Sequence, residues 1–201
     1  ILSIPGIIFS EATLSYLNLG LQGSDSFGNI LSNIVIYTLL ILLELLFDII
    51  TSILFIKFFN IVKENANSNA KIVFNMTWVG ESDFEYGELI TYNGNQIKLY
   101  QDIANLTKEY VSKIKGIDYI SPTGTAIQNA RLYDIGKLTR DGYHLSLDTG
   151  RYIASLTLLK TITNINIDNI SWAPEGVSDK VKEVSIKVVN DAINNPFKVT
   201  I

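Results

Sequence analysis

Asp141 stands three residues before His144, the single histidine of a 201-residue chain. In a turn or a helical start, that spacing lets the carboxylate accept the proton on imidazole Nδ1. A carboxylate held there fixes the tautomer and leaves Nε2 free to take a proton from a hydroxyl nucleophile. This is the orienter and base of a serine hydrolase. A nucleophile is harder to place. Ser82, Ser121 and Ser146 are candidates by residue type, but none lies in a Gly-x-Ser-x-Gly elbow. Their settings fit turns or helix caps equally well.

Other side chains near the pair are open to two readings. Trp78 and Tyr143 could line a substrate groove or fill the core, and Arg131 and Arg140 could hold an anionic or sugar group or form ordinary ion pairs. Gly136-Lys137 is followed by Leu138, which is not a phosphate-cradling loop. With one histidine and no cysteine, multi-histidine metal sites, thiolate zinc sites, disulfides and cysteine nucleophiles are all excluded. No cofactor is expected. A net charge of -4, without a Lys/Arg stripe, argues against nucleic acid as a partner. Three Asn-x-Thr/Ser triplets, at Asn75, Asn105 and Asn169, match glycosylation acceptors, a frequent pattern in an asparagine-rich chain.

The elements that must position the pair follow from periodicity. Lys71 to Trp78 begins as a short apolar strand. From Gln96 to Ile114, apolar residues at Ile97, Tyr100, Ile103, Ala104, Leu106, Tyr110, Val111 and Ile114 have helical spacing, and Gly116 ends the run. A second strand is expected at residues 117–120, then the loop 121–125 and a helical stretch from Ala126 to about Tyr133. Strand, helix and strand in that order imply a parallel sheet with a right-handed crossover. Two more helices are readable, from about Thr149 to Ile162 and after Ser178, whose hydroxyl can cap it. The expected class is α/β.

The first third is different. Residues 30–59 are almost wholly apolar and exceed the about 20 residues that cross a roughly 30 Å hydrocarbon core. A transmembrane α-helix is expected there. Glu44 and Asp48 would each cost about 2.5 to 3.5 kcal/mol at mid-membrane. Four apart, they share a face that should meet other helices or a polar cavity. A signal peptide fits poorly, since its apolar core is only about 7 to 15 residues. Lys57 and Lys63 lie on the C-terminal side of the span, which puts residues from 65 onward in the cytoplasm under the positive-inside rule. The uncharged Asn65–Ala70 stretch is the natural linker, giving a membrane segment at 1–64, a linker at 65–70 and a globular part at 71–201.

Two resemblances attach to these parts. Pro122-Thr123-Gly124-Thr125-Ala126-Ile127-Gln128-Asn129-Ala130-Arg131, Leu138-Thr139-Arg140-Asp141-Gly142-Tyr143-His144-Leu145-Ser146, Gly150-Arg151-Tyr152-Ile153-Ala154, Ala173-Pro174-Glu175-Gly176-Val177 and Asn195-Pro196-Phe197 resemble, in one order, an uncharacterised bacterial family within the SGNH (GDSL-like) hydrolases. The resemblance implies a partial flavodoxin-like three-layer domain, an esterase acting on a small-molecule or carbohydrate ester, Asp141 as orienter and His144 as base. The family's serine, glycine and asparagine blocks should precede Lys71 and are absent, which implies an inactive chain as it stands. Its members are usually exported, in tension with the lysine distribution.

Residues 1–67 resemble the C-terminal end of oligopeptide and dipeptide ABC-transporter permeases, through Ile4-Pro5-Gly6, Glu11-Ala12, Leu14-Ser15-Tyr16-Leu17, Leu19-Gly20-Leu21-Gln22 and Gly28-Asn29 before a long apolar helix. The chain begins at Ile1 and its one methionine is Met76, so it reads as a fragment. Three functions are therefore carried forward: a hydrolase remnant, a membrane permease component, and a joining of two unrelated parts with no single function.

Overall fold

The computed structural model describes residues 27–83 and 92–200, and in the first helix the side chains from residue 34 onward. The chain divides at Ala70/Lys71 into two compact units. The permease-like motifs up to Gln22 lie outside the described residues.

The first unit contributes helix α1, Phe27–Asn65, of 39 residues. It extends past both ends of the expected 30–59 span. Large apolar side chains along it stand about half exposed, as at Leu39, Leu43, Phe47 and Leu54. Its span Ile34–Asn65 is long and apolar enough to cross a membrane. Thr38 and Thr51 donate their hydroxyl protons to the carbonyls of Ile34 and Asp48. Leu40, Glu44, Asp48 and Thr51 are less exposed than their neighbours and fall on one face, the spacing anticipated for the two acids.

The second unit is mixed α/β. Strand β1, Val73–Asn75, pairs in parallel with β2, Tyr119–Ser121, in the register Val73↔Tyr119, Phe74↔Ile120 and Asn75↔Ser121. Asp118 ties the strand start, its carboxylate accepting from the Ile72 amide at 2.8 Å and from Lys71 Nζ at 3.1 Å. Helix α2, Gln96–Glu109, connects the strands, capped by the Asn95 side chain. It is shorter than the expected 96–114 run, because the chain tightens after Tyr110 into a single 3₁₀ turn, Val111–Lys113. Leu99, Tyr100, Ala104 and Thr107 make its buried face, whereas Ile97 and Leu106 point outward.

Helix α3, Thr123–Ala130, starts three residues earlier than its sequence suggests, directly after Pro122. All eight of its residues are buried. Small and hydroxylated side chains make that possible, each polar group finding a partner. Thr125 Oγ1 donates to the Pro196 carbonyl at 2.6 Å and lies 2.9 Å from Tyr100 Oη. Asn129 bonds both the amide and the hydroxyl of Thr200. Two further helices, α4, Thr149–Thr163, and α5, Asp179–Asn194, pack on α3 and on each other. Ser178 caps α5 as its sequence indicates, accepting from the Val181 amide at 3.3 Å. Ile127, Ile153, Ile167, Val188 and Val189 are fully buried in this core. Each such side chain contributes about 1.5 to 3 kcal/mol of hydrophobic stabilisation.

Beyond Asn75 the chain leaves the sheet, although apolar residues continue to Trp78. Met76 still donates to the Ser121 carbonyl at 2.9 Å, but Trp78 and Glu81 bond a distant loop instead. The strand is short because its continuation serves the segment that carries Asp141 and His144.

Candidate functional site

Leu138–Ser146, between α3 and α4, doubles back on itself as a narrow hairpin. Thr139 and Leu145 form an antiparallel bridge, Arg140 N donates to the His144 carbonyl at 2.8 Å, and Ser146 N donates to the Leu138 carbonyl at 2.8 Å. Gly142 at the tip has φ of 89°, a conformation in which other residues are strained.

Asp141 has two jobs in that turn. Its Oδ1 accepts the backbone amides of His144 at 2.7 Å and Tyr143 at 3.1 Å, an Asx-type turn. That leaves Oδ2 aimed at the ring, 2.8 Å from His144 Nδ1. The amide of His144 first, then its ring and the Tyr143 amide, hold the carboxyl down to about 2, against a desolvation that outweighs either of the last two alone. Asp141 is therefore an anion throughout the neutral range and can only accept the Nδ1 proton. Arg140 Nε adds a cation 3.6 Å from Oδ2. The His144 side chain is 60% exposed, and its Nε2 has no hydrogen-bond partner among the described residues. The Tyr143 ring meets the His144 ring edge-on, with centroids 5.4 Å apart.

The hairpin is braced by the segment after β1. Trp78 Nε1 donates to the Tyr143 carbonyl at 2.8 Å, and Glu81 N donates to the Gly142 carbonyl at 2.7 Å. Trp78 also packs on the core, so it supports the pair rather than facing a ligand. Arg131, at the end of α3, is 11% exposed and spends its guanidinium internally. Its Nη2 donates to the Val79 carbonyl at 2.6 Å, its Nη1 to Gln128 Oε1 at 2.8 Å, and its Nε lies 3.5 Å from Glu81 Oε2. Burial pushes the Arg131 pKa down and the Glu81 carboxylate pushes it back up. Gln96 joins the brace through the Gly80 carbonyl at 2.6 Å.

Two of the three candidate serines are committed elsewhere. Ser121 is fully buried, 3.0 Å from Thr123 Oγ1, and the Ser146 hydroxyl accepts the Gly150 amide at 2.9 Å at the start of α4. Ser82 instead lines a cavity of about 790 Å³ beside the hairpin, with Arg131, Lys137, Arg140, Asp141 and Gly142. Of the two arginines, Arg140 is half exposed, and Arg131 is tied up in the brace. Thr139 lies inside the stretch that carries the resemblance but has no role assigned by it, and Glu81 and Gln96 carry no motif. The only signal for Glu81 is its place just past the C-terminal end of a strand, where α/β proteins concentrate functional groups.

Among curated proteins, none matches the chain. A crystal structure at 1.50 Å of a DUF4886 family protein from Bacteroides uniformis ATCC 8492 is similar over 71% of this chain, with 34% identity and a TM-score of 0.66. The chain spans 55% of that protein's length. A domain of unknown function, DUF4886, matches residues 46–192, reaching from within α1 across the unit boundary to α5. With most of its length inside that match, the chain belongs to the DUF4886 family.

Proposed function

We propose that Lys71–Ile201 is the C-terminal part of an esterase-type serine hydrolase of the SGNH class, built on a flavodoxin-like three-layer plan, with Asp141 as orienter and His144 as general base. The observation that supports this reading is the 2.8 Å contact between Asp141 Oδ2 and Nδ1 of an exposed imidazole. Held that way, Nε2 takes the proton of a serine hydroxyl as it attacks an acyl carbonyl and returns it to the departing alcohol. The substrate class is a small-molecule or carbohydrate ester. By the resemblance, the serine and the oxyanion donors belong to blocks that this chain does not carry and Ser82 lies in no such block, so this chain alone is expected to leave esters intact.

The test joins Lys71–Ile201 to the part of the Bacteroides protein that this chain does not span, followed by an acetyl-ester assay. The folded chimera is expected to turn over ester, and His144→Ala to lower the rate by about 10² to 10⁴, the range for a lost general base. A chimera that melts cooperatively yet shows no turnover, or is indifferent to His144→Ala, overturns the reading.

A second reading rests on α1. Its length and apolarity support a membrane location, with residues after 65 in the cytoplasm, and leave room for a permease component of an ABC peptide transporter or a joining of two parts without one function. The full chain is expected to sediment with membranes and to resist carbonate extraction. Recovery as a soluble monomer would remove the membrane reading, permease included, and leave the hydrolase reading untouched.

A further inference from the structure

We infer that Glu81 is a positioning residue for the Asp141–His144 pair, fixing the hairpin so that Oδ2 meets Nδ1; this rests on the hydrolase reading of the pair. The hairpin has two arms, one leading into Asp141 and one leaving His144, and the bridge between Thr139 and Leu145 sets their separation. Glu81 grips the first arm and the tip together. Its Oε1 accepts the Thr139 hydroxyl proton at 2.9 Å, and its backbone amide donates to the Gly142 carbonyl at 2.7 Å. Its other oxygen faces Arg131 Nε at 3.5 Å, so Glu81 is itself located from the end of the fully buried α3.

The division of labour between the two carboxylate oxygens is the point. A glutamate serving only to neutralise Arg131 would have no need of Thr139, a buried residue two positions before Asp141. Through that bond the rigid core reaches the arm that bears the orienter, while the pair itself stays at the surface. Without it, the hairpin keeps its Trp78 brace at the tip and loses the side-chain hold on the Asp141 arm.

His144 is the one histidine in the chain, so ¹⁵N-histidine labelling of the full chain in detergent gives the two ring nitrogens of this residue alone. Their shifts report which nitrogen carries the proton in the neutral ring, and a bond to Asp141 selects Nδ1–H. Asp141→Asn, Glu81→Ala and Thr139→Val are each expected to move the tautomer ratio toward Nε2–H by about tenfold, the scale of one hydrogen bond to a charged group. Glu81→Gln, which keeps an acceptor for Thr139, should remain near the parent. Thr139→Val leaves the Arg131–Glu81 contact in place and decides the question should Glu81→Ala fail to fold. A purely structural Glu81 lowers the melting temperature without changing the ratio. A shifted ratio in Asp141→Asn with an unshifted one in Thr139→Val overturns the positioning role and spares the pair. An unshifted ratio in Asp141→Asn overturns the pair itself.

Discussion

Gly124→Ala lowers the stability of the Lys71–Ile201 unit by about 3 kcal/mol or more, at the upper end of what overpacking costs. A Cβ built at residue 124 would lie 2.0 Å from the Thr77 carbonyl oxygen and 2.9 Å from its carbon. Both are backbone atoms, so no side chain can swing aside. Neither partner can retreat. Gly124 N donates to the Met76 carbonyl at 2.9 Å and Met76 N donates to Ser121, which locks the end of β1 against the start of α3. Every residue of α3 is buried, so the helix has no free side toward which to move. A drop of about 10 °C in the thermal midpoint is expected by circular dichroism. A midpoint within a degree or two of the parent would show that the close approach does not exist.

The second large effect is at Arg131. Its replacement by alanine leaves the Val79 carbonyl and Gln128 Oε1 without their donor and the Glu81 carboxylate without its counter-charge, in a place where the arginine side chain is 11% exposed. Removing one member of a buried charged pair costs about 3 to 5 kcal/mol; because Glu81 is 32% exposed and partly solvated, the lower end applies. Arg131→Lys is expected to recover less than half of the loss, since an ammonium cannot reproduce the planar fork that serves two acceptors and faces the Glu81 carboxylate at once. Urea unfolding of the two variants measures both quantities. A loss under about 1 kcal/mol for the alanine variant would mean that the brace is replaceable by water.

The helices were readable where a single face decides them. Ser185, Val188, Val189 and Ala192 follow the helical period, and α5 begins after the serine that caps it. Asp141 and His144 were readable as a pair because a three-residue spacing is short enough for the local turn to bring the groups together. What sequence did not yield is the brace. Glu81 and Thr139 are 58 residues apart, and their meeting depends on β1, α3 and the hairpin all being in place. The strand end at Asn75 was invisible for the same reason, since apolar residues run on to Trp78 and only the distant Tyr143 carbonyl explains why the chain turns away. The sequence starts α3 late because its first residues, Thr123, Gly124 and Thr125, have loop-like composition, and their burial by other elements makes them helical. Ile97 and Leu106 have the spacing of a buried face but lie outside it, which periodicity alone does not distinguish.

The full burial of α3 also separates two clocks. Its amide protons are shielded on every side, so solvent reaches them only when the whole unit comes apart, and their exchange measures the global free energy. The amides of Tyr143 and His144 are held by one exposed aspartate oxygen and are released whenever that small turn opens. The pair can therefore break and re-form many times within the lifetime of a single folded molecule, and the fraction of time it spends assembled is set by the turn and the Glu81–Thr139 bond on its arm, not by the global stability of the domain that carries it.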